Sequence, residues 1–196
     1  KPFTYRHKAP HSSLFSRMGN HYSYLNESID GVITEIELLF SGNIYSTGAF
    51  RDSVDFDPGA GIAILVSQGF EDIYTQKLDS SGNFVWAKRI GGSSGDGGLS
   101  LALDVLGNIY TTGHFVGTVD FDPNSGTTNL TAAGGNDVFI QKLDASGNFT
   151  WAKNMGGVNS DYGRAIAIDA TGNIYTTGTF RGTADFDPGA GTVNIT

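Results

Sequence analysis

The chain of 196 residues has no cysteine, and methionine, tryptophan, histidine and proline are all scarce at two, two, four and five. Without thiols there are no disulfides and no thiolate metal sites, so packing and hydrogen bonds have to hold it together. No apolar run approaches the roughly 20 residues of a membrane-spanning helix. No segment sustains a 3.6-residue apolar period, which removes amphipathic helices from consideration. Positive charge is also short, with 12 basic against 20 acidic residues and a net charge of −8. The first forty residues are balanced, Lys1, Arg6, Lys8 and Arg17 against Glu27, Asp30, Glu35 and Glu37, so the whole excess of acid lies downstream. Such a surface repels phosphate backbones, which argues against nucleic acid as a partner.

What is abundant is glycine, 28 residues, together with 13 Phe and 8 Tyr, a turn-rich β composition rather than a disordered one. The chain also repeats itself. GNIY recurs at Gly42–Tyr45, Gly107–Tyr110 and Gly172–Tyr175, and DFDP at Asp55–Pro58, Asp120–Pro123 and Asp185–Pro188, both with a period of 65. WAK (Trp86–Lys88, Trp151–Lys153) and KLD (Lys77–Asp79, Lys142–Asp144) keep the same offset. A fixed period without insertions marks stacked units that each bury a face on the next.

Short β-branched and aromatic runs punctuated by Gly and Asn place four strands in the second unit: A at about Ser100–Asp104, B at Asn108–Phe115, C at Asp137–Leu143 and D at Asn148–Asn154. An acidic residue, two variable residues and then Gly-Asn links A to B and C to D, as in Asp104–Asn108 and Asp144–Asn148. An acceptor side chain opening the turn and a glycine free to turn left-handed suit a hairpin with a bulge. Between B and C, Val119–Phe121 and Thr128–Leu130 are spaced to form a small extra hairpin. The reading is all-β, a β-propeller-like array of four-stranded antiparallel blades amounting to about two and a half to three blades, with a solenoid of β coils as the alternative. Residues 36–196 hold the repeats, in units of about 36–98, 99–163 and a partial 164–196; residues 1–35 diverge, as a decayed blade strand or an unrelated, disordered leader.

AIAIDATGNIYTTGTF (Ala165–Phe180), DVFIQKLDASGNF (Asp137–Phe149) and WAK followed by Gly-Gly resemble the bacterial repeats called SBBP, named after seven-bladed β-propellers, and DFDPG is similar to a variant of large secreted proteins. The resemblance runs from about Ile36 to Thr196. It implies a propeller fold with further blades of a longer chain, a secreted or cell-surface location and a mostly non-enzymatic role. It carries over no catalytic residue.

In a meander the B–C and D–A loops share one face, which would collect Asp55, Asp57, Asp120, Asp122, Asp185 and Asp187 from DFDP together with Asp96 and Asp161. Aspartates two apart in an extended segment point the same way, so each DFDP offers two hard oxygen ligands beside a turn, a candidate calcium site. The competing role for these aspartates is turn capping, with the intervening Phe packed between blades. Trp86 and Trp151, one per unit in strand D, are expected to pack between blades rather than stack on sugars. Histidines 7, 11, 21 and 114 lack ligand spacing, and His114 stands where other units have Ala49 and Thr179. No nucleophile–base set is visible. The function expected is a binding scaffold for a protein or carbohydrate partner. The alternatives are a purely structural spacer and a polysaccharide lyase or glycoside hydrolase, for which Tyr162 and Arg164 are the non-repeated candidates and Asp55 with Asp96 the paired carboxylates.

Overall fold

The computed structural model describes residues 42–196 in full and, before them, the backbone of three strands: β1 (Arg17–Met18), β2 (His21–Tyr24) and β3 (Glu35–Leu38). The rest of the divergent segment, His7 and His11 included, lies outside the described residues. All regular structure among the described residues is β. The first unit continues with β4 (Ile44–Phe50), β5 (Ser53–Asp55), β6 (Ile64–Val66), β7 (Asp72–Leu78) and β8 (Phe84–Ile90). The second comprises β9 (Gly97–Leu103), β10 (Ile109–Phe115), β11 (Thr118–Asp120), β12 (Asn129–Thr131), β13 (Asp137–Leu143) and β14 (Phe149–Gly157). The third has β15 (Tyr162–Ile168), β16 (Ile174–Thr179), β17 (Ala184–Asp185) and β18 (Asn194–Ile195).

Strands A to D form antiparallel meanders, β3-β4-β7-β8 and β9-β10-β13-β14, while the third unit has A and B as the pair β15-β16. β1 and β2 extend the first sheet beyond its A strand, β2 pairing with β3. The arrangement is propeller-like and none of the sheets closes on itself. Strand C lies where the spacing placed it, and the extra hairpin is present as β11-β12 in the expected register, Val119 opposite Leu130 and Asp120 opposite Asn129, with its strand bounds one residue further from the turn. Strands A and D are each longer than expected. A begins at Gly97 because Gly97 and Gly98 pair with His114 and Gly113 around a bulge. D runs on to Gly157 because Gly156 and Gly157 pair with Asp185 and Ala184, in the extra hairpin of the following unit.

The hairpin turns behave as their chemistry dictates. In Asp79–Asn83 the Asp79 carboxylate accepts from the Ser81 and Asn83 amides and from Asn83 Nδ2, and Gly82 turns left-handed at φ +81. The same bonds recur from Asp104, Asp144 and Asp169; they hold the Asp79 and Asp144 carboxyls below the usual range, and the Asp169 carboxyl is lowered first by the Thr171 hydroxyl and then by these bonds.

Apolar residues bury both within a blade, as Phe50, Phe56 and Tyr74 do in the first, and between blades. One cluster unites Ile73 and Ile90 of the first blade with Phe115, Val119, Phe121, Phe139 and Ala152 of the second. Another joins Tyr45 to Leu101, Leu103, Ile109 and Leu143, with Trp86 packed against it. The indole of Trp86 meets Tyr45 edge-on at 6.4 Å between centroids and lies under Gly147, where even a Cβ would sit 3.0 Å from the ring. Trp86 therefore packs between blades, as expected. Trp151 repeats the edge contact with Tyr110 at 6.2 Å, but among the described residues no turn covers it as Gly147 covers Trp86. Trp86→Ala is expected to cost about 3 kcal/mol in urea unfolding, in the range of large aromatic truncations, and Trp151→Ala clearly less; equal losses would contradict the inter-blade account.

Candidate functional site

The face formed by B–C and D–A loops is built on buried carboxylates. Asp96, just before β9, is 1% exposed; its Oδ2 accepts from the Gly92 amide at 2.8 Å and its Oδ1 from the Val116 amide at 2.9 Å. Asp161 repeats this with Gly157 at 2.8 Å and Arg181 at 2.9 Å. Each carboxylate thus ties the exit of one blade to the end of strand B in the next. Burial raises the pKa of Asp96, against the two amide bonds and with help from the neighbouring Asp72 charge.

A second buried pair, Asp72 and Asp137, opens strand C. Asp72 takes the Gln68 amide at 3.0 Å and the Arg89 guanidinium at 2.6 Å. In the next unit Asn154 stands in place of Arg89 and gives Asp137 only a 3.3 Å bond, leaving Asp137 Oδ1 buried without a partner. Burial again raises the Asp137 pKa. These carboxylates explain the Gly-Gly after WAK: a side chain on Gly91 would run into Asp72, and one on Gly92 would press on the β11 backbone.

The DFDP loops are three copies of one turn. The first aspartate accepts from the amide two residues on, Asp57, Asp122 and Asp187 at 3.0–3.1 Å, and from the amide eight residues on, Ala63, Thr128 and Val193 at 2.8 Å. The second accepts from Gly59, Asn124 or Gly189 at 2.7–2.9 Å. Those amides hold the Asp55 and Asp185 carboxyls below the usual range. Phe121 between them is fully buried, edge-on to Phe115 at 5.2 Å and 5.1 Å from Phe139, and its carbonyl accepts from Gln141 Nε2 at 2.8 Å. Both aspartates spend Oδ1 on the backbone. Among the described residues no three His, Cys, Asp or Glu side chains converge as a metal site. A calcium ion here would rely on the outer oxygens, carbonyls and water.

Of the eight aspartates of this face, the six of the DFDP turns remain at least partly exposed, while Asp96 and Asp161 are inside, each committed to two amides. Asp55 and Asp96 serve separate backbone bonds. The loops also display where the units differ. Arg51 lies over the Phe70 ring at 3.5 Å and pairs with Glu71 at 2.9 Å; in the second unit the corresponding residues are Val116, Gly135 and Asn136. Tyr162, in the place of Gly97, meets the His114 ring at 5.0 Å, carries Arg164 over its face at 4.9 Å and receives Asn136 Nδ2 on its hydroxyl at 2.8 Å. The structure thus brings the non-repeated Tyr162 and Arg164 together with His114. The signal for His114 was its departure from Ala49 and Thr179, and the contact itself is long-range. Its Nδ1 is buried without a partner.

Residues 151–179, spanning strand D of the second unit and A and B of the third, match the family SBBP, a beta-propeller repeat. The chain is 26% identical to the regulatory protein FlaEY of Caulobacter vibrioides over 171 residues, which is 85% of this chain and 18% of that protein. It is 27% identical to an uncharacterized WD repeat-containing protein, L264, of Acanthamoeba polyphaga mimivirus over 121 residues, 55% of this chain and 9% of that protein. The chain spans less than a fifth of either relative. These likenesses and the fold make it a propeller-type repeat module.

Burial, and then the Arg164 charge, push the His114 pKa down from its ordinary 6.5 to about 4, against a small opposing pull from Glu71. The unfolded chain then binds the extra proton first, so stability is lost as pH falls from 6.5 towards 4. His114→Ala, which copies Ala49, should remove about 1–3 kcal/mol of the difference between urea stabilities at the two ends of that window; identical pH profiles would show the imidazole to be solvated. For the DFDP loops, calcium raised to about 10 mM, above the extracellular affinity range, is expected to leave the melting temperature unchanged. A rise abolished by Asp120→Asn with Asp122→Asn would assign a metal to them.

Proposed function

We propose that the chain is a non-enzymatic module of a secreted or cell-surface bacterial protein, and that its B–C and D–A loop face is a platform for a protein partner. The observation that carries this reading is a constant scaffold with variable display. Asp96 and Asp161, the DFDP turns and the Phe stacks repeat, whereas Arg51, Phe70, Glu71, His114, Asn136, Tyr162 and Arg164 occupy positions at which the units differ. Paired Arg and aromatic side chains, Arg51 on Phe70 and Arg164 on Tyr162, are the composition of protein-interface hot spots. Phe70 is 60% exposed, a large ring with one face on a guanidinium and the remainder free. Export is supported by the resemblance to repeats of large secreted proteins.

A lyase or hydrolase would draw on the same His114, Tyr162 and Arg164. Their geometry favours recognition, because the Tyr162 hydroxyl is held by Asn136 and His114 Nδ1 is shut away from solvent. The test is to immobilise the module and present the envelope fraction of its host. Retention of a specific protein that is lost in Phe70→Ala/Arg164→Glu, with the melting temperature unchanged, is expected. Equal retention by the double variant, or turnover of a polysaccharide by the isolated module, would overturn the platform reading.

A further inference from the structure

The extra hairpin of the first unit differs from its two copies on its outer face. Val54 and Leu65 of β5-β6 turn inward against Phe50, Phe56 and Tyr74. The residues that alternate with Leu65 turn outward: Ile62, Ile64 and Val66 are 78%, 55% and 57% exposed. At these positions the second unit has Thr127, Asn129 and Thr131, and the third has Thr192, Asn194 and Thr196. Those residues are exposed too, in the second unit with a further unit on either side, so the exposure belongs to the hairpin itself. Two units fold with polar side chains there, and the fold therefore does not require the apolar ones. The base of the hairpin changes with them. Asp52 holds a left-handed φ of +60 where Gly117 and Gly182 stand at +71 and +70. Ser67 Oγ accepts the Asp52 amide at 2.9 Å and donates to the Gly69 carbonyl at 3.3 Å, which fixes the path from Val66 to the exposed Phe70.

We infer that the outer face of β5-β6 docks an extended segment of a partner protein, apolar at every second residue and flanked by lysine or arginine. The inference rests on the reading of the chain as a platform for a protein partner, and it names what that partner presents. Side chains two apart on a strand stand about 7 Å from one another in a row, a spacing that the alternate side chains of an extended segment match. The row is bordered by acid, which sets the charge of the occupant. Asp55 faces Ile64 across the ladder, Asp57 follows it, and Asp52 stands at the base. Asp55 and Asp57 give Oδ1 to the backbone amides, so Oδ2 is left to meet a cation. Arg51, the basic residue beside them, is already paired with Glu71 at 2.9 Å. Such a border attracts lysine and arginine and disfavours a second copy, whose own acidic border would meet it in a chain of net charge −8. An exposed apolar row with a polar rim is the usual mark of a partner site, and a hairpin pinned in advance loses little freedom on binding.

The test uses the whole chain and a fluorescein-labelled peptide in which valine and threonine alternate between pairs of lysines. Saturable one-to-one binding by anisotropy is expected, with slowed amide exchange confined to the hairpin and the loop that runs on to Phe70. Ile62→Thr/Ile64→Asn/Val66→Thr copies the second unit, so its melting temperature should be unchanged while binding weakens about tenfold or more. On the unaltered chain, glutamate in place of the peptide's lysines should weaken binding by a similar factor, and added salt should weaken it progressively. No saturation up to about 1 mM peptide, equal binding by the triple variant, or equal binding of the glutamate peptide would overturn the site. So would a peptide-free dimer, or binding to phosphatidylcholine vesicles, that the triple variant abolishes, since a second copy or lipid would then be the occupant. Retention of a host protein through Phe70 and Arg164 is measured separately, so failure of this site and failure of the platform are told apart.

Discussion

The structure depends on a carboxylate that has no access to water. Asp96 and Asp161 each bind two amides from different blades, one from the glycine turn leaving a blade and one from the end of strand B in the next. A buried carboxylate is tolerated only when its oxygens are satisfied, so the two amides must arrive together and at fixed positions. That requirement fixes the angle between blades. It also demands that the turn be Gly-Gly, because the backbone passes the Asp72 or Asp137 carboxylate on one side and the next hairpin on the other.

Three of the four apolar clusters likewise belong to no single blade. Phe139 is enclosed by its own Phe115 and Phe121 and by Ile73 and Ile90 of the blade before. The DFDP hairpin adds Val119 and Leu130 to that enclosure, and in the third unit it pairs with strand D of the preceding blade at Gly156–Asp185. A blade is thus half of two cores, and stability accrues by neighbour contacts along the array, as in other repeat architectures.

On a scaffold held this way, change is tolerated where it does not touch the junction. Gly97 in one unit and Tyr162 in another sit at equivalent places; the added ring extends over His114 instead of displacing the strand. Arg89 and Asn154 show the cost where a junction residue does vary: Asp72 has a guanidinium and Asp137 an orphaned oxygen. The variable Arg, Phe, Tyr and His side chains gather on the loop face because loops there are anchored by backbone bonds and do not need particular side chains for their own fold.

Local chemistry determined much of this protein. The 65-residue period is written in the sequence itself, and the hairpin turns at Asp79–Asn83 and its copies, strand C at Asp137–Leu143 and the capping role open to DFDP follow from residues within about ten positions of one another, where turn propensity and alternation act. The tertiary structure decided what depends on partners far away in sequence. That Asp96 is buried rather than displayed rests on Val116, 20 residues on; that D extends to Gly157 rests on Ala184; that His114 loses its proton rests on Tyr162 and Arg164 closing over it. An aspartate, a glycine and a histidine read alike in any sequence, and only the desolvation imposed by the next blade settles which of them is surface and which is joint.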